Sequence, residues 1–145
     1  MKSCARITAT SPESIKKAIS LVKKIHNDNP GFIHGDYTLS NILETKGGLK
    51  VIDWDDYNEK GEQIFDVCSL IIHYLFILNK NDLNKVKEIL TSEEVCNWFE
   101  KYDDKINKEN LLPVWNSFLE YSMEFYKDRR QSKYDFYKKI KSCLL

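Results

Sequence analysis

The chain has 145 residues, enough for one ordinary domain and too few for two. With 42% hydrophobic and 30% charged residues it reads as a folded globular chain rather than a disordered one. Its 22 basic residues are matched by 22 acidic ones, so charge makes no case for nucleic-acid binding. The most apolar run, Val67 to Leu78, carries Ser69 and His73 and is shorter than the ~20 residues of a membrane span. It is expected to be a buried helix. The N-terminus lacks the apolar core of a secretory signal, so a cytoplasmic location is expected. Cys4, Cys68, Cys96 and Cys143 then read as free thiols, and the absence of C-x-x-C spacing suggests no zinc site.

Residues 1–10 carry no pattern. Ser11-Pro12-Glu13 is a helix start, with a hydroxyl cap, a proline at the first turn and an acid near the positive end of the dipole. Ile15, Ala18, Ile19, Val22 and Ile25 follow at three- and four-residue steps, which predicts an amphipathic helix ending in Asn27 to Gly31. His26 in its last turn reads as a packed or capping side chain. Residues 32–36 are a short apolar approach. Asn41–Thr45 and Leu49–Asp53 are two extended runs, and Lys46-Gly47-Gly48 between them is expected to supply the positive φ angles of a tight hairpin.

A loop from Asp55 to Gln63 leads to a core helix from Ile64 to about Asn79. Asn81 and Asp82 cap a helix carrying Leu83, Val86, Ile89 and Leu90. Thr91-Ser92-Glu93-Glu94 opens another with Val95, Trp98 and Phe99. A longer helix is predicted from Asn110 to about Lys127, with Pro113 in its first turn, and a last one through Tyr134, Phe136, Tyr137, Ile140 and Leu144. Aromatic residues at helical spacing read as core. The basic run Lys127, Arg129, Arg130, Lys133, Lys138, Lys139 and Lys141 reads as a solvated helix face. The expected architecture is α+β and mostly α: one domain over residues 1–145, with a loop and hairpin over 32–56 and a helical part over 64–145.

Chemistry concentrates in Phe32-Ile33-His34-Gly35-Asp36-Tyr37-Thr38-Leu39-Ser40-Asn41-Ile42-Leu43 and in Val51-Ile52-Asp53-Trp54-Asp55. Mg²⁺ takes hard oxygen ligands and shares them with substrate phosphates. Asn41 and Asp53, brought together by a hairpin, can supply such oxygens. Asp36 is then left to orient a hydroxyl, in a His34-Gly35-Asp36-x-x-x-x-Asn41 spacing like that of a kinase catalytic loop. Each residue also has a plain reading: Asp36 and Asn41 as turn formers, Asp53 and Asp55 as strand-end charges, Asp66 as a helix N-terminal acid.

These two runs, with Asp66 before the apolar helix, resemble the aminoglycoside phosphotransferase and choline kinase family over roughly residues 15 to 80. That resemblance implies the C-terminal lobe of a protein-kinase-like fold and transfer of the γ-phosphoryl of ATP to a hydroxyl on a small molecule. It implies Asp36 as catalytic base and Asn41 and Asp53 as Mg²⁺ ligands. His34 would brace the loop, Asp66 would accept hydrogen bonds from the loop backbone, and Asp55 is a weaker match to an acid near the site. Gly35 stands where protein kinases have arginine, so control by a phosphorylated activation loop is not expected.

Family members place about one hundred residues before the loop, the size of a small domain; here 33 residues precede His34, and no glycine occurs before Gly31. Lys2, Lys16, Lys17, Lys23 and Lys24 lack the strand context of a nucleotide-binding lysine. The nucleotide-binding lobe is thus expected to be absent from this chain. The chain would then be a truncated gene product, or the lobe would be supplied by a separate chain, or the domain would be a non-catalytic ligand-binding or interaction module, with a homo-oligomer as a further expectation. The resemblance leaves the acceptor open. The acidic cluster Asp53, Asp55, Asp56 and Glu59 suits either a cationic acceptor or a solvated loop with metal ligands.

Overall fold

A computed structural model describes residues 4–6 and 11–144. Among the described residues, six helices and a three-stranded antiparallel sheet make an α+β, mostly helical structure. The strands are β1 (Cys4–Arg6), β2 (Ile42–Thr45) and β3 (Gly48–Val51), in the order β1-β2-β3. In β1–β2, Ala5 faces Glu44; in β2–β3, Ile42 faces Val51 and Thr45 faces Gly48. The sequence predicts only the hairpin. Cys-Ala-Arg has neither the alternation nor the β-branched residues that would mark a strand, and it joins the sheet by backbone pairing to β2. The turn also differs from expectation: Gly48 alone takes a positive φ, at 115°, while Lys46 and Gly47 do not.

Helix α1 (Pro12–Asp28) begins as its residues dictate, with the Ser11 hydroxyl accepting from the Glu13 N–H at 3.1 Å. It buries Ile15, Ala18, Ile19, Val22 and His26 on one face. Helix α2 (Ile64–Leu78) is the core of the domain, with Phe65 through Ile72 all buried. A helix apolar all round has to be surrounded, and α1, α3 (Leu83–Leu90), α4 (Glu93–Tyr102) and α5 (Lys108–Tyr126) pack on it. None of the helices is long and apolar enough to cross a membrane, among the described residues.

Two tight residues, Lys80 and Asn81, take positive φ (52° and 63°) and turn the chain into α3 (Leu83–Leu90). Asp82 alone caps α3, accepting from the Lys85 N–H. Helix α4 (Glu93–Tyr102) is capped by Ser92. Helix α5 (Lys108–Tyr126) starts earlier than its apolar pattern indicates. Asn107 and Asn110 form a reciprocal capping box, a pairing hidden in a polar stretch, so Pro113 lies inside the helix rather than in its first turn. Helix α6 (Gln131–Leu144) packs against α5 and α3. Trp115, Phe118, Tyr126 and Tyr137 from α5 and α6 are buried, as their spacing predicts. Cys68, Cys96 and Cys143 are unpaired; the side chain of Cys4 lies outside the described residues.

Candidate functional site

The loop between α1 and β2 is held by an acid on the core helix. Asp66, buried in the first turn of α2, accepts the His34 N–H at 2.7 Å on Oδ2 and the Gly35 N–H at 3.0 Å on Oδ1. The same Oδ2 lies 2.8 Å from His26 Nε2, whose other ring nitrogen is 2.7 Å from the Tyr102 hydroxyl. The carboxylate can only accept, so His26 Nε2 donates to it, and Nδ1 shares the second hydrogen bond with the Tyr102 hydroxyl. Burial, helped by the Asp66 charge, pushes the Tyr102 phenol up to about 12, so it remains a donor at neutral pH. His26 is thus a packed residue with a purpose: it adds a side-chain hydrogen bond to a buried carboxylate that otherwise has only the two backbone N–H groups.

His34 has its tautomer set in the same way. Nε2 lies 2.9 Å from the Ile52 carbonyl, which can only accept, so Nε2 bears the proton. Nδ1 is then the acceptor for the Asp36 N–H at 3.1 Å. One imidazole therefore ties the loop to the end of the hairpin, and Trp54 tilts over its ring at 4.6 Å between centroids. Gly35 adopts φ +92°, and an added Cβ would collide with the backbone of Asp56. A side chain is excluded here both by conformation and by space.

Asp36 is partly buried. Its carbonyl accepts from the Asn41 side-chain nitrogen at 2.8 Å, and its carboxylate Oδ1 from Lys133 Nζ at 2.5 Å. Asn41 is buried at the end of a single 3-10 turn (Leu39–Asn41), and its backbone carbonyl accepts the Ile52 N–H at 2.9 Å. The hairpin thus brings Asn41 beside the residue that precedes Asp53. Asp53 is exposed and sits at φ 59°, a conformation that non-glycine residues adopt rarely and that marks functional segments more often than others.

Among the described residues the Asn41 amide oxygen, both Asp53 oxygens and Asp36 Oδ2 accept no hydrogen bond. No cluster of three or more His, Cys, Asp and Glu side chains suited to a metal occurs among the described residues. An amide oxygen and a carboxylate are donor types that Mg²⁺ takes, since it uses one or two protein carboxylates and completes its shell with water and phosphate.

The structure divides the acidic cluster. Asp53, Asp55 and Glu59 are exposed, while Asp56 is buried. Asp56 Oδ2 accepts from the Tyr126 hydroxyl at 3.0 Å and lies 3.7 Å from the Arg130 guanidinium. Tyr126 also reaches the Gly35 carbonyl at 3.0 Å; burial pushes its phenol far up, so it stays protonated. Asp56 therefore belongs to the scaffold, while its neighbours Asp53, Asp55 and Glu59 face solvent.

The basic run is mostly a solvated face, with Lys127, Arg129, Arg130, Lys138 and Lys139 exposed, and Lys133 is its exception. Lys133 turns inward to Asp36 at 18% side-chain exposure, and Arg129 lies over the Phe125 ring at 4.2 Å. Local charge counting could not find this, because Asp36 is distant in sequence and α6 is brought to it only by packing. Lys133, Tyr126 and His26 are the site residues that motif reading misses. Against the other flank of the loop, Phe32, His34, Trp54 and Tyr57 line a depression of about 480 Å³. Phe32, Trp54 and Tyr57 are exposed there, with Phe32 and Tyr57 stacked at 5.9 Å.

No family model matches the chain, and no curated protein or solved structure matches it.

Proposed function

We propose that this chain carries the catalytic centre of an ATP- and Mg²⁺-dependent phosphotransferase acting on a hydroxyl of a small molecule, in the manner of a kinase-like C-terminal lobe. The observation that carries the reading is the selective saturation of the loop. Asp66, His34 and Asn41 consume the backbone donors and acceptors around Asp36. They leave the Asn41 amide oxygen, the Asp53 carboxylate and Asp36 Oδ2 for a ligand. Mg²⁺, when bound, neutralises charge on the phosphates; Asn41 and Asp53 are the residues that would hold it.

Asp36 orients the acceptor hydroxyl. As the acceptor oxygen bonds to the γ-phosphorus, the bond from that phosphorus to the bridging oxygen breaks and ADP leaves. The hydroxyl proton passes late to Asp36, since a loose transition state needs little basic assistance. His34 holds the Asp36 backbone so that its carboxylate keeps one orientation.

A second reading, a non-catalytic ligand-binding or interaction module, is favoured by the exposed aromatics around the 480 Å³ depression. A separate nucleotide-binding lobe or a second copy of the chain would dock on that face.

The test is ADP release by the full chain from Mg-ATP with a pool of small hydroxylated compounds, with the phosphoester followed by ³¹P NMR. Asp36→Asn is expected to lower the rate by about a hundredfold or more. An undiminished rate in that variant overturns the assignment. Absence of turnover, together with a partner or ligand that quenches Trp54 fluorescence, supports the second reading.

A further inference from the structure

The proposed site names a hydroxyl but not the rest of the acceptor. Lys133 on α6 narrows it. An ammonium group has three donors. One meets Asp36 Oδ1, and the group also faces the Tyr126 ring at 5.0 Å. No other oxygen accepts from Lys133 among the described residues. The pair is not sealed: the side chains of Lys133 and Asp36 are 18% and 16% exposed. A partly dehydrated cation with unused donors therefore stands beside a carboxylate with an unused acceptor, Asp36 Oδ2.

Charge balance on this side points the same way. Asp36 is neutralised by Lys133 and Asp56 by Arg130 and the Tyr126 hydroxyl. The acids without partners, Asp53 and Asp55, follow the hairpin, and Asp53 is committed to the metal in the proposed site. Asp36 and Asp56 already face Lys133 and Arg130, so neither offers a cationic acceptor an unpaired charge. An acceptor with an oxyanion near its hydroxyl would satisfy both unused groups, the hydroxyl on Asp36 Oδ2 and the oxyanion on Lys133 Nζ.

We infer that Lys133 is a specificity-determining residue that selects an acceptor bearing an anionic oxygen, a carboxylate or a phosphate, close to the hydroxyl to be phosphorylated. The inference rests on Asp36 being the acceptor-facing carboxylate. The oxyanion that Lys133 meets can belong to the acceptor or to the phosphoryl group in transit, and the two sources separate in a titration without nucleotide.

The experiment is an NMR titration of the full chain, without ATP, using glycerate, glycerol, choline and inorganic phosphate as probes. Glycerate is expected to move the Asp36 and Lys133 amide signals and to bind about tenfold or more tightly than glycerol or choline, the worth of one hydrogen bond to a charged group. Lys133→Met is expected to abolish that preference, and Lys133→Arg, which keeps the charge, to retain most of it. Equal or tighter binding of choline overturns the inference, as does a preference that survives in Lys133→Met. Phosphate binding at Lys133 without glycerate binding also overturns it, because the cation then serves the transferred group. If Lys133→Met loses its dispersed spectrum, Lys133→Arg and the choline comparison decide. No nucleotide is present, so failure of phosphotransfer leaves this result standing. Asp36-dependent turnover of choline, conversely, keeps the phosphotransferase and overturns the anionic acceptor.

Discussion

Four aspartates lie close together in this fold and fall into two kinds. Asp66 and Asp56 are buried and held by partners: both oxygens of the first by two backbone N–H groups and His26, Oδ2 of the second by Tyr126 and Arg130. Asp53 and Asp55 are exposed and have no partner among the described residues. The contrast separates holding from offering. A buried carboxylate persists only where hydrogen bonds replace its lost hydration, so its lone pairs are spent. A carboxylate held by backbone alone, as Asp53 is at φ 59°, keeps its lone pairs for a ligand.

The contrast breaks most visibly at Asp66. Asp66→Ala strands the His34 and Gly35 N–H groups and leaves His26 Nε2 without its partner, so it is expected to cost about 3–5 kcal/mol. Asp55→Ala is expected to stay within about 0.5 kcal/mol. Urea unfolding of both variants measures the difference, and a similar small cost for each would dissolve the distinction. Gly35→Ala tests the fit of the loop over Asp56. A side chain there collides with the Asp56 backbone and strains φ, for an expected cost of about 1–3 kcal/mol. A neutral result would mean that the loop can move away from Asp56.

The smallest effect concerns His73, which stacks on Phe136 at 5.4 Å, with its Nδ1 hydrogen-bonded to the Ser69 carbonyl. Burial holds its imidazole below the ordinary 6.5, with the positive charge of Lys133 adding to the effect and the Ser69 bond opposing it. The unfolded chain then binds a proton that the folded chain refuses. Stability present above that ordinary value is lost as pH falls below it toward the folded value. Thermal melts between about pH 7.5 and 5.5 should show the decline. His73→Gln should flatten it, and an unchanged slope in that variant would assign the decline to other groups.

The helices were legible because their causes are local. Ser11-Pro12, Ser92 and the unbroken apolar run of α2 act within a turn or two of themselves. The hairpin was legible for the same reason. Strand β1 was not, since its only support is a partner in β2. Asp36, Asn41 and Asp53 stood out because their spacing is short and ordered. Lys133 did not, because an inward lysine and a solvated one have identical neighbours in sequence. Only the packing of α6 on α5 distinguishes them. The Asn107–Asn110 capping box was missed for a different reason: it uses residues that also populate ordinary loops.

The contact between Lys133 and Asp36 also has a consequence in time. A ribosome adds about 5–20 residues per second, and domains begin to fold as they emerge. Asp36 and Lys133 lie 97 positions apart, so the lysine follows the acid by roughly 5 to 20 seconds at that pace. During that interval α1, α2 and α4 can already clasp the loop through His26, Asp66 and Tyr102. The nascent chain would therefore hold a positioned but unneutralised Asp36 carboxylate until α6 arrives. Synthesis order places the pairing of Asp36 after the clasping of its loop.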